Sequence, residues 1–198
     1  NITIHTPSLH TLDSAKTDVE ICFIHKLSST ANSEINGIIL SRFFEKGPNF
    51  GDAETFMNQI INDIPYETIE YDKEIHVSNK WGPKMLLPKE NKSYFTYDGT
   101  LHYPPCTENY KWFIYEDIGT MGTNNIDTLK TFIGNNTRPI QPLGDRTVFY
   151  VVNQEGKKSK ERKFFTSDNK YLKCMKQDTI MDLANTKTEP VEEKNESD

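Results

Sequence analysis

Apolar residues recur at every second position over several short stretches of this chain, the period of a half-buried β-strand. Residues 1–5 set Ile2 and Ile4 against Thr3 and His5. The stretch "HTPSLHTLDSAK" is a turn-rich connector, and "VEICFIHKL" (19–27) is a second strand. "INGIILSRFFEKG" (35–47) is denser in apolar residues and is expected to lie centrally in a sheet. In "NFGDAETFMNQIINDI" (49–64) the period changes: Phe56, Ile60 and Ile61 share one helical face, and Gly51-Asp52 can begin the helix. "YETIEYDKEIHV" (66–77) alternates weakly, as an edge strand or a loop would. "SYFTYDGTLHYPPCTENYKWFIYED" (93–117) predicts a strand, a Pro-Pro turn and a strand centred on Trp112. "NIDTLKTFIG" (125–134) predicts a short helix ended by Gly134. A loop and a final strand follow over 135–152.

Beyond about residue 153 the periodicity stops. "EGKKSKERK" is basic and "TEPVEEKNESD" acidic, so 153–198 reads as a charged, flexible tail after a domain spanning 1–152. Residues 164–184 could hold a short docking helix.

Composition narrows the function classes. The 198 residues carry a net charge of −6, which argues against a nucleic-acid partner. The 11 Phe, 9 Tyr and 2 Trp argue against wholesale disorder. Mean hydropathy is −0.69, and no apolar run is long enough for a transmembrane helix. The cysteines, Cys22, Cys106 and Cys174, include no CxxC pair, which excludes a zinc finger; unlinked thiols are the simplest reading.

Three ordered blocks point to chemistry. "ITIHTPSLHTLDSAKTDVEICFIH" resembles F-H-F-H-x-P-S-E-H-x-x-D-G-x-x-x-x-x-E-x-H-x-V-H. "SYFTYDGTLHYPPCTENYKW" resembles Y-x-x-Y-x-G-S-L-T-T-P-P-C-x-E-x-x-x-W. "NNTRPIQPLGDR" resembles N-x-R-P-x-Q-P-L-x-x-R. Together they make this chain similar to the α-type carbonic anhydrases over residues 1–150. The resemblance implies an α+β, mainly β fold: a large twisted, mostly antiparallel sheet with short helices. It also places an N-terminal part of that domain upstream of residue 1.

The implied activity is hydration of CO2 to bicarbonate by a zinc-bound hydroxide. Zinc held by three neutral imidazoles lowers the pKa of its water to ~7. Carried over position by position, the ligand sites hold Thr3, His5 and Cys22. Glu20 matches the carboxylate that orients the third ligand. His102 matches the hydroxide-orienting threonine, and Leu9 that threonine's glutamate partner. Tyr103 matches the next threonine, Tyr110 a small residue of the CO2 pocket, and Ile39, Leu101 and Trp112 its apolar wall. His10, His25 and Tyr97 match buried polar positions, with Asn136 and Arg138 in the closing loop and His76 a surface residue. Cys106 matches the cysteine that, in secreted members, pairs with one near the N-terminus. With sequons at Asn1, Asn91, Asn135 and Asn195, this favours a secreted or extracytosolic glycoprotein.

Substitution concentrated at the chemical positions, with structural residues kept, predicts a pseudoenzyme used for binding or structure, with a protein or glycan partner. The alternative is a zinc carbonic anhydrase with a rebuilt His5, Cys22 and His102 ligand set, acting on CO2 and bicarbonate.

Overall fold

The computed structural model describes residues 1–28, 33–48, 51–63, 82–88, 92–152 and 173–176. Its elements in order are strands β1 (Ile2–His5), β2 (Val19–Lys26) and β3 (Gly37–Lys46), helix α1 (Asp52–Asp63) and a 3-10 turn (Pro83–Leu86). Strands β4 (Tyr94–Gly99), β5 (Tyr110–Tyr115) and β6 (Gly119–Met121), helix α2 (Thr123–Ile133), β7 (Phe149–Val152) and β8 (Lys173–Lys176) follow. The strands form one mixed, largely antiparallel sheet in the order β1-β2-β3-β5-β4-β7-β8, with β6 paired to the end of β3. The parallel pairs are β3–β5, β3–β6 and β7–β8. The dense apolar strand β3 does lie inside, between β2 and β5.

Period-two alternation divides the core between the two sheet faces. On one face Val19, Ile21, Phe23 and Phe44 pack against Phe56, Met57 and Ile61 of α1 and Ile126 and Leu129 of α2. On the other, Cys22, Ile24, Ile39, Phe43, Phe95 and Trp112 form a second cluster without a helix. Both helices thus serve one face, and the opposite face carries the polar chemistry described below.

Glu54 joins the helices. Its carboxylate accepts from Gly122 N–H at 2.8 Å and from the Asn125 amide at 2.5 Å, so α1 satisfies an otherwise open donor at the start of α2. Gly134 ends α2 with φ 66°, a backbone angle that glycine adopts without strain. Gly99 meets a different demand: a Cβ there would stand 2.8 Å from Tyr97 and 2.9 Å from Trp112.

Two expectations change. His25, expected among buried polar positions, is exposed. It lies with Lys26 at the exposed C-terminal end of β2, after six buried residues. Of 164–184, which could hold a short docking helix, Lys173–Lys176 form a strand in register with β7 and the rest lies outside the described residues. A strand of four residues leaves too few positions to show its period. Residues 66–77, including His76, and the remainder of 153–198 lie outside the described residues.

Removing the Glu54 carboxylate should loosen α1 from α2. Glu54→Ala leaves the Gly122 and Asn125 donors without this acceptor, and one such buried loss costs about 1–3 kcal/mol. The expected result in urea unfolding is a lower midpoint with an unchanged slope; an unchanged midpoint would show that water replaces the carboxylate without loss.

Candidate metal centre

Register builds the site. Residues directly opposite in an antiparallel pair share a sheet face. Thr3 pairs with Cys22, and Cys22 with Ser41; His5 pairs with Glu20, and Glu20 with Phe43. Thr3, His5, Glu20, Cys22 and Ser41 therefore lie on the face away from the helices. Asn136 clips the outer edge of β1, accepting from Thr6 N–H at 3.0 Å and donating to Ile4 O at 2.9 Å. It thereby holds the backbone on either side of His5.

His102 reaches the same place from the loop between β4 and β5. That loop is closed by Leu101 N–H donating to Thr107 O at 2.9 Å and Cys106 N–H to Tyr103 O at 2.8 Å. The His102 ring stands edge-on to His5, Tyr103 and Trp112, with centroids 4.6, 5.0 and 5.8 Å away. Its Nε2 lies 3.0 Å from the Thr3 hydroxyl, and His5 Nε2 lies 3.1 Å from the same oxygen. The His102 Nδ1 is buried and meets no hydrogen-bond partner among the described residues, and the His5 ring also meets the Asn136 backbone. One donor atom each from His5, Cys22 and His102 fall within 4.8 Å of one another.

Glu20 faces elsewhere. Its fully buried carboxylate lies 2.8 Å from His10 Nδ1, takes the His10 backbone N–H at 2.9 Å and accepts from the Ser41 hydroxyl. The Cys22 sulfur is more distant, at 3.8 Å. His10 continues the chain to the Tyr97 hydroxyl at 2.8 Å. Burial alone would raise the Glu20 pKa, but His10 charge and these hydrogen bonds hold it at about 2.

The three clustered donors lean towards their neutral forms. Burial lowers the His5 pKa, and burial aided by His5 brings His102 to about 4. Burial raises the Cys22 thiol, and the Glu20 charge raises it further.

Of the expected pocket residues, Ile39, Leu101, Tyr110 and Trp112 are buried in the core cluster, and Leu9 and Tyr103 pack against it. An open cleft runs over Thr3, His5, Leu9, His102 and Tyr103. Beside it a cavity of about 140 Å³ is lined by His10, Tyr97, His102, Trp112, Arg138 and Arg146. The exposed Arg138 guanidinium stands 3.6 Å from the Cys106 sulfur, and Cys106 is a free thiol. Ser41 was not singled out in the sequence. Its signal was available: a lone hydroxyl in the apolar run "IILSRFF" needs a buried partner.

These residues do not fit zinc held by three imidazoles. Of the positions that the resemblance assigns to ligands, only His5 offers a ring. The Thr3 hydroxyl sits between the two available imidazoles, and the Glu20 carboxylate is engaged by His10 and Ser41 rather than by a ligand ring N–H.

Stability should carry the signature of these environments. His102 titrates near 4 when folded against 6.5 as a free ring, so the unfolded chain binds more protons between those values. Its contribution is complete above about pH 6.5 and is lost as pH falls towards 4; His5 has the same sign. Glu20 adds a loss between its ordinary 4.5 and about 2. Thermal melts from pH 7 to pH 4 should show falling stability, with a shallower slope in His102→Leu; equal slopes would mean the ring titrates as if in water.

Comparison with known proteins agrees with this architecture. The eukaryotic-type carbonic anhydrase family matches residues 3–152. Dioscorin DB3L of Dioscorea polystachya is 31% identical over 158 residues, covering 78% of this chain and 54% of the relative. The chain thus spans about half the length of the curated relatives it matches. Carbonic anhydrase Cah3 from Chlamydomonas reinhardtii, solved with acetazolamide, superposes with a TM-score of 0.64 at 27% identity, covering 75% of this chain and 63% of that one. A crystal structure of dioscorin complexed with ascorbate gives 0.58 at 27% identity, covering 75% and 59%. A sheet of this order, built from these three sequence blocks and matched over most of its length, places the chain in the eukaryotic-type carbonic anhydrase family.

Proposed function

We propose that this protein is a carbonic anhydrase-like pseudoenzyme, serving binding or structure rather than hydration of CO2. One observation carries the reading: the Thr3 hydroxyl, at the first ligand position, is hydrogen-bonded within the protein to His102 and His5. A neutral hydroxyl replaces an imidazole there. Three further changes act together with it. Cys22 would add negative charge to a bound ion and make its water a weaker acid. His102 replaces the residue that orients hydroxide, and the packed side chain of Leu9 supplies no acceptor in place of that residue's partner. The partner is then a protein or glycan, met at the open cleft over Tyr103 and Leu9. A secreted or extracytosolic setting is supported by the exposed Asn135 sequon and by the match of Cys106 to the cysteine that forms a disulfide in secreted family members.

A second reading is favoured by the proximity of His5, Cys22 and His102. In it the chain is a zinc carbonic anhydrase with an altered ligand set, working slowly because hydroxide is no longer oriented.

Stopped-flow CO2 hydration with zinc supplied decides between them. The expected rate equals that of buffer, and zinc-dependent turnover lost in His5→Ala would establish the second reading. Restoration sharpens the test. Thr3→His with Cys22→His should recover zinc, whereas hydration should stay low until Leu9→Glu and His102→Thr are added. Turnover appearing with the ligand changes alone would refute the role assigned to His102.

A further inference from the structure

The mismatch with three-imidazole zinc raises the question of which ion the observed donors do suit. We propose that His5, Cys22 and His102 form a three-coordinate site for a soft monovalent cation, copper(I). The donors belong to separate parts of the fold: His5 to β1, Cys22 to β2 and His102 to the β4–β5 loop. Their convergence within 4.8 Å therefore depends on tertiary structure, not on neighbouring sequence. Bonds of about 2.0 Å to nitrogen and 2.3 Å to sulfur at trigonal angles set donors roughly 3.5–3.7 Å apart, so small side-chain rotations close the set.

The donor chemistry selects the ion. One thiolate with two imidazoles is a soft set, and a trigonal His2Cys arrangement is characteristic of copper sites. Among the described residues no carboxylate belongs to the cluster, which argues against magnesium, calcium and manganese. Among the described residues, the further group within hydrogen-bond reach of both rings is the Thr3 hydroxyl, a weak donor in the place of a fourth ligand. This suits an ion content with three strong bonds better than one that requires four.

Charge and burial agree. Cys22 is fully buried and His5 is 7% exposed. A monovalent ion with one thiolate and two neutral imidazoles has no net charge, so binding adds none beside the buried Glu20 carboxylate, 3.8 Å from the Cys22 sulfur. On binding, the Cys22 S–H bond breaks, its proton leaves to solvent and the sulfur–copper bond forms, with no change of oxidation state.

The test is anaerobic titration of the reduced protein with copper(I) against a chromophoric copper(I) chelator. Cys106→Ser with Cys174→Ser removes the other thiols and should keep one tightly held copper per chain. Cys22→Ser in that background should abolish it, and His5→Ala or His102→Ala should each weaken it by at least about 10-fold, the lower bound seen even for losses beyond the ligands themselves. X-ray absorption of the copper-loaded Cys106→Ser/Cys174→Ser protein should give one sulfur and two nitrogen neighbours, a result that does not depend on the Cys22 variant folding. Copper retained in folded Cys22→Ser, sulfur-free coordination, or equimolar zinc displacing the copper would each overturn the proposal. CO2 hydration is measured separately, so the outcome for copper is independent of the pseudoenzyme reading.

Discussion

The pairing of β1 with β2 is the constraint on which this molecule's chemistry depends. It sets Thr3 opposite Cys22 and His5 opposite Glu20. Because side chains alternate, a slip of one residue would move Thr3 and His5 onto the helix-covered face and bring Ile2 and Ile4 into the polar row. The register is fixed from both sides. Val19, Ile21 and Phe23 need the apolar face under the helices, and Asn136 holds the free edge of β1. Site geometry is therefore a by-product of core packing: the contacts that bury Ile21 also present Cys22.

Within that frame the polar row separates into two systems. Glu20, His10, Ser41 and Tyr97 form a buried network with ordinary partners. His5, Cys22, His102 and Thr3 form a neighbouring group in which the buried His102 Nδ1 meets no hydrogen-bond partner among the described residues. A buried polar atom without a partner is costly, on the order of 1–3 kcal/mol. The fold places that cost at the donor cluster, beside a satisfied network. The contrast is local, a few ångströms across, which argues against general erosion of the domain.

Much of the fold was legible in the sequence because its strands are half-buried. Ile2 and Ile4, then Val19, Ile21 and Phe23, announce their face through period two, and α1 announces itself through Phe56 and Ile61. What was not legible lacked either length or context. Strand β6, with three residues, and β8, with four, are too short to display a period. His25 continues the alternation that buries Ile21 and Phe23, so its exposure at the end of β2 is not written in the strand's own pattern. Among the site residues, Thr3, His5 and Cys22 followed from strand spacing once the family was recognised. The approach of His102 to them followed only from that resemblance, because no local pattern joins residues 5 and 102.

His102 also shows how one substitution can change the kind of site rather than merely weaken it. A small hydroxyl at this position would leave His5 and Cys22 as an incomplete ligand pair. An imidazole, held edge-on by Trp112 and Tyr103, places a second nitrogen, the third donor of the set, beside them without any movement of the sheet. By the family resemblance the same ring stands where a hydroxide-orienting threonine is expected, and it brings no hydroxyl. Under the proposed function, loss of hydration and assembly of a softer donor set would be two consequences of one side chain. The β1–β2 register keeps that side chain's neighbours in place whichever consequence is considered, so neither requires the fold to change.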